Sequence, residues 1–216
     1  MKKASKMLVV LLALVMALTI CGCGGSDSGK DLVGTWSLDY DMASLLAGEL
    51  GPDYADFNTP LVVSICFQFN EDGTFSMFGE QESFNANFNT WMDEFLAFST
   101  QMIYTQYEGQ GLSKEEADAA FQQMYNQDIE SFMRQTMEES VDANALLSEM
   151  TTNGKYETSG DKLYMAADGE EIDKNAYDVF TVSGDTLKLE LPSGADSSQA
   201  EVLPGLAYPL EMKKTN

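Results

Sequence analysis

Residues 61–80 read Leu61-Val62-Val63-Ser64-Ile65-Cys66-Phe67-Gln68-Phe69-Asn70-Glu71-Asp72-Gly73-Thr74-Phe75-Ser76-Met77-Phe78-Gly79-Glu80. On an extended backbone Leu61, Val63, Ile65, Phe67 and Phe69 fall on one side, and Val62, Ser64, Cys66 and Gln68 on the other. A period of two with one apolar face marks a strand of an antiparallel sheet. Asn70 to Thr74 is a hairpin turn in which Gly73 supplies a positive φ, and Thr74 to Glu80 returns as the partner strand.

The same pattern extends outward from this hairpin. Upstream, Leu32, Gly34, Trp36, Leu38 and Tyr40 alternate along one side of a strand. Residues 41–60 form a connection with one helical turn expected around Met42 to Leu46, ended by Gly51-Pro52. Downstream the pattern breaks at residue 84. From Phe84 to Met150 there is no proline, and glycine occurs only at 109 and 111, which divide the segment into two helical arms. Trp91, Phe95, Phe98 and Met102 make an amphipathic stripe on the first arm. Ser113-Lys114-Glu115-Glu116 is a capping box that opens the second. A single helix from 114 to 150 would be unusually long, so a break is expected near Asn126 or Asn144.

Strand signals return after Met150. Residues 154–158 and 162–165 flank the turn Ser159-Gly160-Asp161, and residues 176–182 and 186–191 flank Ser183-Gly184-Asp185. Leu206, Tyr208, Leu210 and Met212 alternate in a last strand. The expected architecture is mainly β with an α insertion. About eight antiparallel strands run up and down, with the helices inserted between the third and fourth. The units are residues 31–83 and 151–216 for the two parts of the sheet, and 84–150 for the insertion. Closing such a sheet into a barrel removes its exposed edges, and a barrel of eight strands holds side chains or one small ligand.

Charge and composition narrow the function. The 216 residues carry 35 acids against 12 lysines and arginines, a net −23, which excludes a nucleic-acid binder of the usual electrostatic kind. Histidine is absent, so Ser-His-Asp and Cys-His catalysis and His-containing zinc sites are excluded. A hydrophobic fraction of 44% is enough for a folded core.

The N-terminus is an export signal. Lys2, Lys3 and Lys6 precede thirteen residues, Leu8 to Ile20, that are apolar apart from Thr19. As a helix this run is about 20 Å long, short of the roughly 30 Å hydrocarbon core. Ile20-Cys21-Gly22-Cys23 resembles the lipobox of bacterial lipoproteins, in which a small residue precedes the cysteine that receives diacylglycerol. Cys23 follows Gly22 and fits that place, whereas Cys21 follows the branched Ile20. The resemblance implies a signal peptide over 1–22, lipid (including palmitate) attached at Cys23, and a tether over 23–30. The protein would then be held by this anchor on the extracytoplasmic face of the cell membrane. Only Cys66 would remain, so no disulfide framework is expected, and a buried small hydrophobe is the expected role of Cys66.

The strand set also resembles the lipocalin-like barrels found in bacterial lipoproteins. Those domains open on a Gly-x-Trp strand and continue with a Phe-x-x-(Asp/Asn)-Gly-Thr hairpin, a Gly-x-Tyr strand and a Gly-Asp-x-Leu hairpin. Gly34 to Trp36, Phe69 to Thr74, Gly154 to Tyr156 and Gly184 to Leu187 occupy these places in order. In the family an arginine on the last strand packs over the first-strand tryptophan. Here that region offers Lys213 and Lys214, and the only arginine, Arg134, lies in the insertion.

The insertion is acidic and rich in methionine, with twelve acids, two basic residues and six methionines over 84–150. Methionine suits surfaces that grip varied apolar partners. One expectation is therefore a lid over a barrel mouth; the other is helices that pack only on each other and the rim. The candidate ligand-binding residues are Trp36, Phe67, Phe69 and Tyr156 on the barrel and Trp91 and Phe95 on the insertion. The expected role is non-catalytic: binding an apolar or amphipathic small molecule or an envelope protein. A structural or interaction module with a side-chain-filled barrel is the alternative, and a carboxylate-based glycan hydrolase is a third reading. Asp168 to Asp173 and Glu71-Asp72-Gly73 carry oxygen ligands without the spacing of a calcium loop, so neither a metal nor a cofactor is expected.

Overall fold

The computed structural model describes residues 29–43, 52–140, 142–195, 201–203 and 206–215. The signal segment, Cys23, the tether up to residue 28 and most of the helical turn expected around Met42 to Leu46 lie outside them. Eight strands close into an antiparallel barrel. They are β1 (Gly34–Asp41), β2 (Val62–Phe69), β3 (Thr74–Gly79), β4 (Thr152–Ser159), β5 (Lys162–Ala167), β6 (Asp178–Ser183), β7 (Thr186–Glu190) and, after a small two-stranded sheet of β8 (Glu201–Leu203) and β9 (Leu206–Ala207), β10 (Leu210–Thr215). Each barrel strand pairs with its neighbour in sequence, and β10 pairs with both β7 and β1. The closing ladder sets Thr35 against Thr215, Trp36 against Lys214 and Ser37 against Lys213.

One short helix, α1 (Gly29–Leu32), precedes β1, so Gly29 and Lys30, at the end of the tether segment, are helical. The insertion between β3 and β4 holds four helices: α2 (Gln81–Glu108), α3 (Lys114–Tyr125), α4 (Ile129–Ser140) and α5 (Ala143–Glu149). Their boundaries follow local chemistry. Alternation alone carries β3 through to Glu80. Instead the Glu80 carboxylate accepts from the N–H groups of Glu82 and Ser83 and starts α2 at Gln81. Those bonds, from Ser83 first, hold the Glu80 carboxyl below its usual pKa. Ser113 and Glu116 form the reciprocal capping box of α3. Asn126 ends α3 with a left-handed backbone, and Asp142 caps α5, two residues before the break expected at Asn144. Among the described residues no helix is long and apolar enough to cross a membrane.

The last strand differs from its sequence pattern. Alternation runs from Leu206 to Met212, yet Leu206–Ala207 pairs with Glu201–Leu203 and the barrel strand begins only at Leu210. Pro209 interrupts the run because it has no N–H to give to a ladder.

Two of the motif glycines have close neighbours. A Cβ on Gly34, whose φ is +133°, would lie 2.8 Å from Cε of Lys214. On Gly154 it would lie 2.1 Å from the carbonyl oxygen of Ala166 and 2.7 Å from Cε1 of Phe75. Gly154 has no room for a side chain because the obstacle is backbone, whereas at Gly34 the obstacle is the movable end of a lysine and the positive φ is what favours glycine. Gly154→Ala should lower the unfolding free energy by roughly 3 kcal/mol or prevent folding. Gly111→Ala, with open space around it and only a positive φ to accommodate, should cost about 1–2 kcal/mol. Urea unfolding of the two variants measures the difference.

Candidate functional site

The inward face of the barrel is defined by β-ladder register and falls into two parts. The end holding the β2–β3 hairpin is filled. Trp36 is fully buried, and its indole N–H donates to the Leu32 carbonyl of α1 over 2.7 Å. Lys214, its partner across the closing ladder, places its ammonium 4.9 Å from the ring centroid, a cation–π contact. Of the two lysines at the end of the last strand, Lys214 is the one that covers the tryptophan. Phe69 meets Tyr156 edge-on at 5.1 Å, and the Tyr156 O–H donates to the Asn70 carbonyl over 2.8 Å. Burial first, then the charge of Asp72, raises the Tyr156 phenol above its ordinary pKa. Leu163, Phe180, Leu187, Leu189, Leu210 and Met212 complete this core.

The opposite end, where β3 leaves for α2 and α5 returns to β4, is covered. Phe84, Phe88, Trp91 and Phe95 on α2 pack with Val63 and Ile65 of β2 and Tyr40 of β1. Trp91 and Phe95 stack at 5.1 Å with planes 6° apart. Phe57 of the β1–β2 connection sits edge-on to both rings, and Tyr54 stacks on Phe95 at 5.2 Å. Asn87 donates to the Val62 carbonyl and Thr59 to the Glu94 carboxylate, tying the helix to the rim and the connection. The indole N–H of Trp91 is buried with no acceptor among the described residues.

The six residues singled out from sequence therefore divide. Trp36, Phe69 and Tyr156 lie in the filled core, Trp91 and Phe95 in the cover, and Phe67 packs against both groups, as Leu38 does. Between the two cores several inward positions are only half-buried. Phe67 pairs with Trp36 on one side and Met77 on the other, so all three share a face. Met165 pairs with Tyr156. Leu38, Phe67, Met77 and Met165 all face into a closed wall, yet each retains contact with solvent.

One inward position is not apolar. Asp178 opens β6, pairs with Leu163 of the filled core and is 9% exposed. Tyr208 donates its O–H to Oδ1 of Asp178 over 3.0 Å. Burial pushes the Asp178 carboxyl up to about 6 from an ordinary 3.8, against the lowering effect of the Tyr208 bond. Burial also raises the Tyr208 phenol, with the Asp178 charge and hydrogen bond adding to it. Neither residue was singled out as a site from sequence. The signal was present: Ala176, Asp178, Phe180 and Val182 fall on one face, and an acid stands among three apolar residues.

The other residues weighed from sequence have structural roles. Cys66 is buried, and burial, then the Glu80 charge, raises its thiol pKa and keeps it protonated. Asp72 accepts from both the N–H and the hydroxyl of Thr74, which stitches the β2–β3 turn and lowers its pKa. Asp173 accepts from the Asn175 N–H in the β5–β6 loop. Among the described residues no group of three or more cysteines and carboxylates is placed to hold a metal ion. Comparison of the chain with family models, with curated proteins and with solved structures finds no match.

Asp178 sets a pH dependence. Between about pH 4 and 6 the folded protein keeps a proton there that the unfolded chain releases, so stability falls as pH rises through that window. Asp178→Asn should abolish this fall and be more stable than the parent above pH 6, by up to about 3 kcal/mol. Denaturant midpoints of the two proteins at pH 4 and pH 8 test this; an equal difference at both would refute it.

Proposed function

We propose that the chain is a bacterial lipoprotein, anchored through Cys23 on the extracytoplasmic face of the cell membrane, whose lipocalin-like barrel binds an apolar or amphipathic small molecule without catalysing a reaction. The anchoring rests on the N-terminal pattern: a short positive segment, thirteen largely apolar residues and Gly22-Cys23. Two acyl chains give stable attachment where one does not. Mass spectrometry of the membrane fraction should find Cys23 carrying diacylglycerol; an unmodified Cys23 ends this part of the reading.

The binding role rests on one observation: Leu38, Phe67, Met77 and Met165 face into a closed barrel and are only half-buried. Water against such a wall is unfavourable by roughly 25 cal/mol per Å² of apolar surface, so an apolar guest that displaces it is stabilised. The flexible thioethers of Met77 and Met165 adapt to guests of differing shape. An uncharged environment-sensitive naphthylamine dye should bind the full chain saturably, with one site. Met77→Trp, which occupies part of the inner space, should weaken that binding at least tenfold while the barrel stays folded by circular dichroism. A linear, non-saturating dye signal refutes the reading.

A second reading, an interaction module, draws on a different feature. Met124 and Tyr125, at the end of α3, are 60% and 50% exposed, and Tyr125 packs on Phe121 and Phe132. An apolar tip on an acidic helical arm suits a protein partner.

A further inference from the structure

We propose that the guest of the barrel is an amphiphile bearing a single protonated amine, and that its ammonium docks on Asp178 while its apolar body occupies the half-buried inner wall. This inference rests on the small-molecule binding reading above and assigns the ligand class. Three observations carry it. Asp178 is nine-tenths buried and shares the inward face with Leu163. Only one of its oxygens is engaged: Tyr208 donates to Oδ1, and no donor among the described residues meets Oδ2. No lysine or arginine among the described residues forms an ion pair with it.

The inner wall is otherwise unsuited to an anion. Lys214, the inward lysine of β10, has its ammonium occupied by the Trp36 ring. An ionised carboxylate accepts hydrogen bonds and donates none, so an N–H-rich cation complements it. In an apolar surround a charge-assisted bond of this kind is stronger than a neutral one, and it offsets the desolvation of the two charges where the other carboxylate oxygen is also bonded, as Tyr208 bonds Oδ1. The long-range field acts the same way. A net charge of −23 draws cationic amphiphiles toward the protein and repels fatty-acid anions. Tyr208 donates its only hydroxyl proton to Asp178, so it holds the carboxylate in place rather than competing for the same ligand group.

The experiment uses the complete chain in nanodiscs, with empty nanodiscs as the blank, and three probes of matched size. Phenylbutylamine, phenylbutanol and phenylbutyrate each compete at pH 7.5 against the bound naphthylamine dye. The amine should displace the dye at a concentration at least tenfold below the alcohol, and the carboxylate should be the weakest of the three. In Asp178→Asn, which keeps shape and an acceptor for Tyr208, the amine-to-alcohol preference should collapse to within twofold. Tyr208→Phe, which frees Oδ1, should retain the preference or increase it. Equal competition by amine and alcohol in the parent protein overturns the inference while leaving the pocket intact. So does an amine preference that survives in Asp178→Asn. If the dye itself fails to bind saturably, the pocket reading falls and this inference falls with it.

Discussion

The barrel depends on a single seam. Strand β1 must find β10 across almost the full length of the chain, and among the described residues three pairs hold the two together. At that seam Trp36 is fixed from two sides, by the Leu32 carbonyl on α1 and by the Lys214 ammonium over its face. The hydrogen bond satisfies a buried indole donor that would otherwise cost about 1–3 kcal/mol. The cation covers a ring face that would otherwise meet water at the barrel end. Gly34 suits this place because its φ of +133° is one that residues with a side chain rarely adopt. Without this closure β1 and β10 would both be edges, exposed to pairing with other chains.

Closure at one end leaves the other to the insertion. Helix α2, at 28 residues, is about 42 Å long, much longer than a mouth of eight strands is wide. Its first half lays Phe84, Phe88, Trp91 and Phe95 over the inward faces of β1 and β2, while its second half packs with α3 and α4 around Ala117, Phe121 and Ile129. The cover is held mainly by aromatic packing, reinforced by the bonds from Asn87 and Thr59. Such a contact is strong in area and undemanding in direction, and the Trp91 N–H inside it has no acceptor among the described residues. The inner wall between the filled end and this cover is where the half-buried residues lie.

Much of this was legible from local pattern. Period-two alternation put Trp36, Val63, Ile65 and Phe69 on the inward side, since a strand face is set by sequence parity alone. The turns at Gly73 and Gly184 and the capping box at Ser113 involve neighbours in sequence, so their chemistry is written in a few residues. What depended on distant contacts was not legible. Glu80 reads as the end of a strand until its carboxylate is seen to cap α2. Tyr54 and Phe57 read as connection residues, yet they pack under the α2 stripe, a contact with partners some forty residues away. The stripe through Trp91 and Phe95 is legible as an apolar face, but periodicity does not say that Tyr54 and Phe57 pack on it.

Asp178 is the position where stability and sequence pattern disagree most. Phe180 and Val182, on the same face of β6, show what the inner wall accepts, and an apolar residue at 178 would extend it. With a carboxyl pKa of about 6, the side chain is mostly ionised at neutral pH, and holding that charge inside costs the fold about 3 kcal/mol. This is a large part of the 5–15 kcal/mol by which domains are stable. Tyr208 recovers only a fraction, since one hydrogen bond does not replace the hydration of a carboxylate. The ammonium of the proposed guest would supply a charge-assisted bond that a single hydroxyl does not. Under the proposed amine binding, the group that weakens the fold by itself would strengthen it once paired, which would couple binding to folding through one carboxylate.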